Sequence, residues 1–156
     1  MGQGVRMTTM RPHPALPSPP ACGTPAVPPQ LICEAVPESV RAARRFVRAA
    51  AAYQEPGTPE DALGTLELLA SELATNGVRA ARSAPVGASI RVVVDASWGR
   101  ARVEVHDASP RLPYVRPAST LAERGRGMLL VERMAAAWGY SDHAEGKCVW
   151  AAVTWR

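Results

Sequence analysis

"LASELATNGVRAAR", Leu69 to Arg82, is the stretch on which the fold of this chain turns. Leu63, Leu66, Ala70 and Leu73 recur at helical spacing and Leu69 widens the stripe, which predicts a long amphipathic helix reaching to about Arg82. Thr58 as N-cap, Pro59 at the first helical position and Asp61 in the first turn mark its start. Glu72 and Asn76 stand four residues apart beside the apolar stripe, so both side chains share one face. Either that face is a solvated flank, or the two polar groups meet something charged.

Working outward, "ASIRVVVDA" and "RARVEVHDA" are strand-like runs joined around "SWG", a hairpin with Gly99 in the turn. Strand parity puts Val103, Val105 and Asp107 on one face, with Arg102, Glu104 and His106 on the other. Asp107 thus points where the valines bury, which costs several kcal/mol unless hydrogen bonds are donated to it. A ligand could donate them, or Asp107 could cap a turn with Ser109. His106, on the opposite face, is expected to be exposed or paired and not catalytic.

Ahead of the long helix, "LICEAV" (31–36) predicts a first strand ended by Pro37. "ESVRAARRFVRAAAAY" follows as a helix with Val40, Ala43, Val47 and Ala50 on one stripe and Arg41, Arg44, Arg45 and Arg48 on another. The arginines form a solvated face or meet an acidic protein partner. Beyond the hairpin, "ASPRLPYVRPASTLAE" (108–123) reads as a long loop of the kind that carries function. "RGRGMLLVERMAAAWG" turns from glycine-rich to helical, with Gly139 as its stop, and a closing hairpin turns at Glu145–Gly146. Trp138, Trp150 and Trp155 are expected in the core or an interface. The order strand, helix, helix, strand, strand, loop, helix, strand, strand predicts a two-layer α/β sandwich, its mixed, mostly antiparallel sheet covered on one face by helices.

With 156 residues, 47% of them apolar, the chain suits one domain. We expect that domain at 31–156, preceded by a proline-rich disordered tail at 1–30 that is either inert or a docking segment. No apolar run is long enough to cross a bilayer and no secretory signal opens the chain, so a soluble cytoplasmic protein with no membrane role is expected. Cys22, Cys33 and Cys148 are odd in number and lack C-x-x-C spacing, which predicts isolated thiols. A net charge of +4, carried mostly by arginine without interleaved aromatics, gives no reason to expect direct nucleic-acid binding.

Three features line up: E-x-x-x-N on a helix, an aspartate ending a strand on its buried face, and G-x-G at the mouth of a helix. Glu72 beside Asn76 suits a carboxylate that orients or deprotonates a nucleophile next to an amide oxygen that holds a metal. Gly125 and Gly127 let backbone N–H groups approach phosphates, the alternative being that they permit a tight loop-to-helix turn. Together these predict an ATP site.

"ELATNGVRAA", "VEVHDASPRLP", "ERGRGMLLVERMAAAWG" and then "GKCVWAAV" resemble, in order and spacing, the motif boxes of the GHKL or Bergerat-fold ATPases. More narrowly, they resemble the short actinobacterial anti-sigma-factor serine kinases with a histidine-kinase-like ATPase domain. The resemblance covers 31–156. It implies Glu72 as catalytic base, Asn76 as Mg²⁺ ligand and Asp107 as acceptor for the exocyclic amine of adenine. It implies an ATP lid at 109–123 and phosphate contacts from Arg124, Gly125, Arg126 and Gly127. Cys148 occupies the position where a threonine often supports the adenine contact. Asp107 is followed by Ala-Ser-Pro where glycines are usual, and Gly77 follows Asn76 where alanine is usual. Such proteins use Mg²⁺-ATP to phosphorylate a serine on a small anti-anti-sigma (STAS-like) partner, sequester a sigma factor in another state, and often form homodimers. The alternative within this resemblance is a regulatory module that holds nucleotide, a sigma factor or another protein partner without phosphoryl transfer.

Overall fold

The computed structural model describes residues 6–9, 27–109 and 127–155, with side chains from 27 onward. In chain order the elements are β1 (Arg6–Thr9), β2 (Gln30–Glu34), α1 (Ser39–Gln54), α2 (Glu60–Ala80), β3 (Ser89–Ser97), β4 (Arg100–Asp107), α3 (Gly127–Met134), β5 (Ala137–His143) and β6 (Gly146–Thr154). The strands form one six-stranded sheet in the order β1-β5-β6-β4-β3-β2. The expected two-layer sandwich is the fold observed, and every pairing among the described strands is antiparallel.

Parity builds the core. Ile90, Val92 and Val94 of β3, Val103 and Val105 of β4, and Val149 and Ala151 of β6 all fall on one sheet face and are buried there. The helices cover that face with Ala43 and Val47 from α1 and Leu63, Leu66, Leu69, Ala70 and Leu73 from α2, the stripes read from the sequence. Small residues on α1 allow close approach, and each large aliphatic side chain taken out of water stabilises by about 1.5–3 kcal/mol. Arg48 leaves the basic stripe of α1 to meet Glu60 at 2.6 Å and Glu67 at 3.1 Å on α2, so this arginine ties two helices together.

Several local expectations shift. The N-terminus of α2 is one residue later than predicted: Pro59 is its cap residue, and the Thr58 hydroxyl donates to the Glu55 carbonyl at 2.7 Å instead of capping the helix. Gly139 is not a helix stop. α3 ends at Met134, and the backbone changes partner within two residues: Ala135 N–H donates to the Val131 carbonyl, whereas Ala136 N–H donates to Ala152 across the sheet. Alanines favour helix locally, but alternation buries Trp138 on the core face opposite Ala151, and sheet pairing overrides the propensity. The last hairpin turns at 144–145, and Gly146 opens β6 with a φ of 143°.

Arg6–Thr9 pairs antiparallel with β5 as an edge strand, where the sequence reading expects a disordered tail. These four residues precede the proline run and retain their backbone donors. The rest of that tail, 10–26, lies outside the described residues, as does Cys22.

The "SWG" hairpin is a two-residue turn in which both Trp98 (φ 57°) and Gly99 (φ 73°) take the left-handed conformation. Such a φ is uncommon for tryptophan. Its N–H donates to Glu55 Oε2 at 3.2 Å, and pairing of Ser97 with Arg100 holds the flanks.

Candidate functional site

Asp107 ends β4 on the core-facing side, as parity predicts, and is only 5% exposed. Its neighbours across the sheet are Ile90 on β3 and Lys147 on β6. The Asp107 carboxylate is used asymmetrically. Oδ1 accepts from the Ser109 N–H at 2.8 Å and from Lys147 Nζ at 2.9 Å. Oδ2 lies 2.9 Å from the same ammonium but out of line for a hydrogen bond, and has no donor among the described residues. The turn-capping role and the ligand-facing role weighed for Asp107 are therefore compatible: one oxygen closes the turn to Ser109 and the other is left over.

α2 connects this carboxylate to Glu72. A Cβ at Gly77 would lie 3.2 Å from Ile90 Cγ2, 3.2 Å from Val105 Cγ1 and 3.8 Å from the Cβ of Asp107, so the helix passes directly over the end of β4. The departure from alanine at this position thus has a packing reason. Five residues earlier, about 7.5 Å along the axis, Glu72 reaches the start of α3. There a Cβ on Gly127 would be 2.5 Å from Glu72 Oε2, so glycine leaves the space the carboxylate occupies. Burial pushes the Glu72 carboxyl above its ordinary range, with Arg79 opposing that shift through its charge. Asn76 lies one turn on, half-buried on the same side as Glu72. Glu72, Asn76, Asp107 and Gly127 are therefore brought to one end of the α2–sheet interface. Arg124, Gly125 and Arg126, together with most of the loop predicted as a lid, lie outside the described residues.

Cys148 does not join them. It pairs with His106 and shares the sheet face turned away from the helices, its Sγ 3.7 Å from Glu104 Oε2. The residue that meets Asp107 across β6 is Lys147, because alternation along the strand separates adjacent residues. Sequence comparison by motif position missed this, although the signal was present. Lys147 is the only lysine among the 18 Lys and Arg residues, set at the start of an apolar strand.

The opposite face has its own polar group. His106 Nε2 is 2.9 Å from Glu104 Oε2, Arg91 approaches His106 Nδ1 at 3.2 Å, and Arg102 holds Glu104 Oε1 at 2.8 Å while stacking 4.2 Å over Trp150. The hydrogen bond from His106 holds the Glu104 carboxyl below its ordinary range despite burial, helped by Arg102. Burial first, and then Glu104, push the Cys148 thiol up to about 12, so it stays protonated and is no nucleophile. Glu104, His106 and Cys148 offer ligand atoms within 4.8 Å of one another, but His106 Nε2 and Glu104 Oε2 are already hydrogen-bonded to each other at 2.9 Å. His106 is paired and away from Asp107, as expected.

No helix among the described residues is long and apolar enough to cross a membrane. The family description that matches the chain is a histidine kinase-like ATPase domain, over residues 33–153, which runs from within β2 to near the end of β6 and takes in every residue of the candidate site. No curated protein gives a match.

Proposed function

The chain belongs to the histidine kinase-like ATPase domain family, and on that premise we propose that it is a Mg²⁺-ATP-dependent protein-serine kinase of the anti-sigma-factor type, acting on a small anti-anti-sigma (STAS-like) partner. The observation that carries this reading is the course of α2, which sets Glu72 against Gly127 at one point and Gly77 against Asp107 at another. A purine held at Asp107 thereby lies along the same helix as a carboxylate able to act on an incoming hydroxyl. The orphaned Oδ2 of Asp107, a buried acceptor without a donor, fits the exocyclic amine of a nucleotide base.

Bound Mg²⁺-ATP supplies the γ-phosphoryl group and neutralises the phosphate charge during transfer. The chain's own residues do the rest. Asp107 accepts from the exocyclic amine of the base through Oδ2. Asn76 would offer its amide oxygen to the cation, and Gly127 would approach the phosphates together with Arg124, Gly125 and Arg126, the residues that the motif resemblance assigns to them. Glu72 orients the partner's serine hydroxyl and takes its proton at a carboxylate oxygen, a role suited to a carboxyl whose proton affinity burial has raised.

Labelled ATP, Mg²⁺ and a candidate partner domain test the reading. Label is expected on a partner serine, falling by about 10²-fold or more in Glu72→Gln with ATP affinity retained. Nucleotide and sigma-factor binding with no label on any partner would instead make the chain a non-catalytic module. The rate has a pH signature as well. Activity needs the ionised Glu72, so the rate declines as pH falls through its raised pKa. Arg79→Gln removes the charge that holds this pKa down, and the acid limb of the rate profile is expected to move to higher pH.

A further inference from the structure

Lys147 is only 1% exposed and is the one lysine among the 18 Lys and Arg residues of the chain. An ammonium has three N–H donors. One is satisfied by Asp107 Oδ1 at 2.9 Å, and no other acceptor receives a hydrogen bond from it among the described residues. The partner carboxylate is also half-satisfied, with Oδ2 lacking a donor. A buried ion pair that leaves both a donor and an acceptor unused is costly unless something pairs with both. What it lacks is a ligand edge presenting an N–H donor next to an acceptor.

Resting on the nucleotide reading above, we propose that Lys147 is a base-reading residue: its ammonium donates to the ring nitrogen N1 of the adenine whose exocyclic amine donates to Asp107 Oδ2. Adenine carries that donor and acceptor side by side. A 6-oxopurine carries the inverse pattern, placing an oxygen against the carboxylate and an N–H against the ammonium, and is rejected by both groups. The residue type fits the task. A compact ammonium can be shared between the Asp107 carboxylate and a ligand, whereas the planar fork of an arginine is matched to both carboxylate oxygens at once and would compete with the amine for Oδ2.

The test compares ATP with 1-deaza-ATP, which keeps the exocyclic amine and replaces N1 by C–H, using calorimetry on the full chain. Wild type is expected to bind 1-deaza-ATP about tenfold more weakly, as for the loss of a hydrogen bond to a charged group. In Lys147→Met the two nucleotides are expected to bind equally, each more weakly than ATP binds wild type. A tenfold preference that survives in Lys147→Met, or equal binding by wild type, overturns the assignment. Failure of wild type to bind ATP at all would count against the nucleotide reading itself. Because Lys147→Met leaves a buried carboxylate without its partner and could fail to fold, a second measurement uses wild type alone. Lysine labelled at Nζ with ¹⁵N gives one signal in this single-lysine chain. That signal is expected to shift differently with ATP and with 1-deaza-ATP. An identical response to both overturns the proposal.

Discussion

Asp107→Asn is expected to lower the unfolding free energy of the nucleotide-free protein by about 3–5 kcal/mol, because it strands a buried ammonium. Against a typical domain stability of about 5–15 kcal/mol that is a large share, and Tm should fall by roughly 10 °C. The sign of the double substitution is the informative part. Asp107→Leu with Lys147→Met removes both charges together, and a buried pair exchanged for apolar groups of similar volume is often neutral. The double variant is therefore expected to be more stable than Asp107→Leu or Lys147→Met alone, a coupling measurable by urea denaturation of the four species. A loss below about 1 kcal/mol in Asp107→Asn would mean that the ammonium finds water or another partner, and that the two groups do not depend on one another.

Gly146→Ala should be comparably damaging, for a steric reason. Gly146 has a φ of 143°, which L side chains rarely adopt, and a Cβ there would run into the carbonyl oxygen of Asp107 and come within 2.7 Å of the Ala108 Cα. Both obstacles are backbone, so no side chain can swing aside. Relief requires moving the start of β6 away from the end of β4, where Asp107 pairs with Lys147. Backbone strain and overpacking of this kind cost about 1–3 kcal/mol each, so a total near 3 kcal/mol or more is expected in chemical denaturation. Nucleotide affinity should fall as well, since the register that brings Lys147 to Asp107 is the register disturbed. Wild-type stability together with unchanged ATP binding in Gly146→Ala would show that β6 can pair with β4 without this close approach.

Much of the architecture could be read from periodicity, since the information is local. The stripe Leu63, Leu66, Ala70 and Leu73 is buried as a helix face, and the alternation Val103, Val105, Asp107 turns the carboxylate inward. Where local signals compete with pairing, they lose. Alanine-rich sequence after Met134 favours helix, yet Ala137–Gly139 joins the sheet, because burying Trp138 and completing backbone hydrogen bonds to β6 outweigh a propensity worth tenths of a kcal/mol per residue. Arg6–Thr9 shows the same limit, as four residues carry too little pattern to announce an edge strand.

Within the candidate site, Glu72, Asn76, Asp107 and Gly127 were visible as motif positions, and helix or strand parity supplied their directions. Cys148 was placed with them only through the position of a threonine in similar chains, and parity along β6 turns it to the other face. By itself the sequence determined which groups face the core and that a carboxylate would be buried, since side-chain direction within an element follows from its period. Only the tertiary structure decided that the carboxylate's partner is Lys147, 40 residues away. That pairing depends on the register between β4 and β6, which is set by hairpin closure, the freedom of Gly146 and the packing of the core, and no local period encodes it.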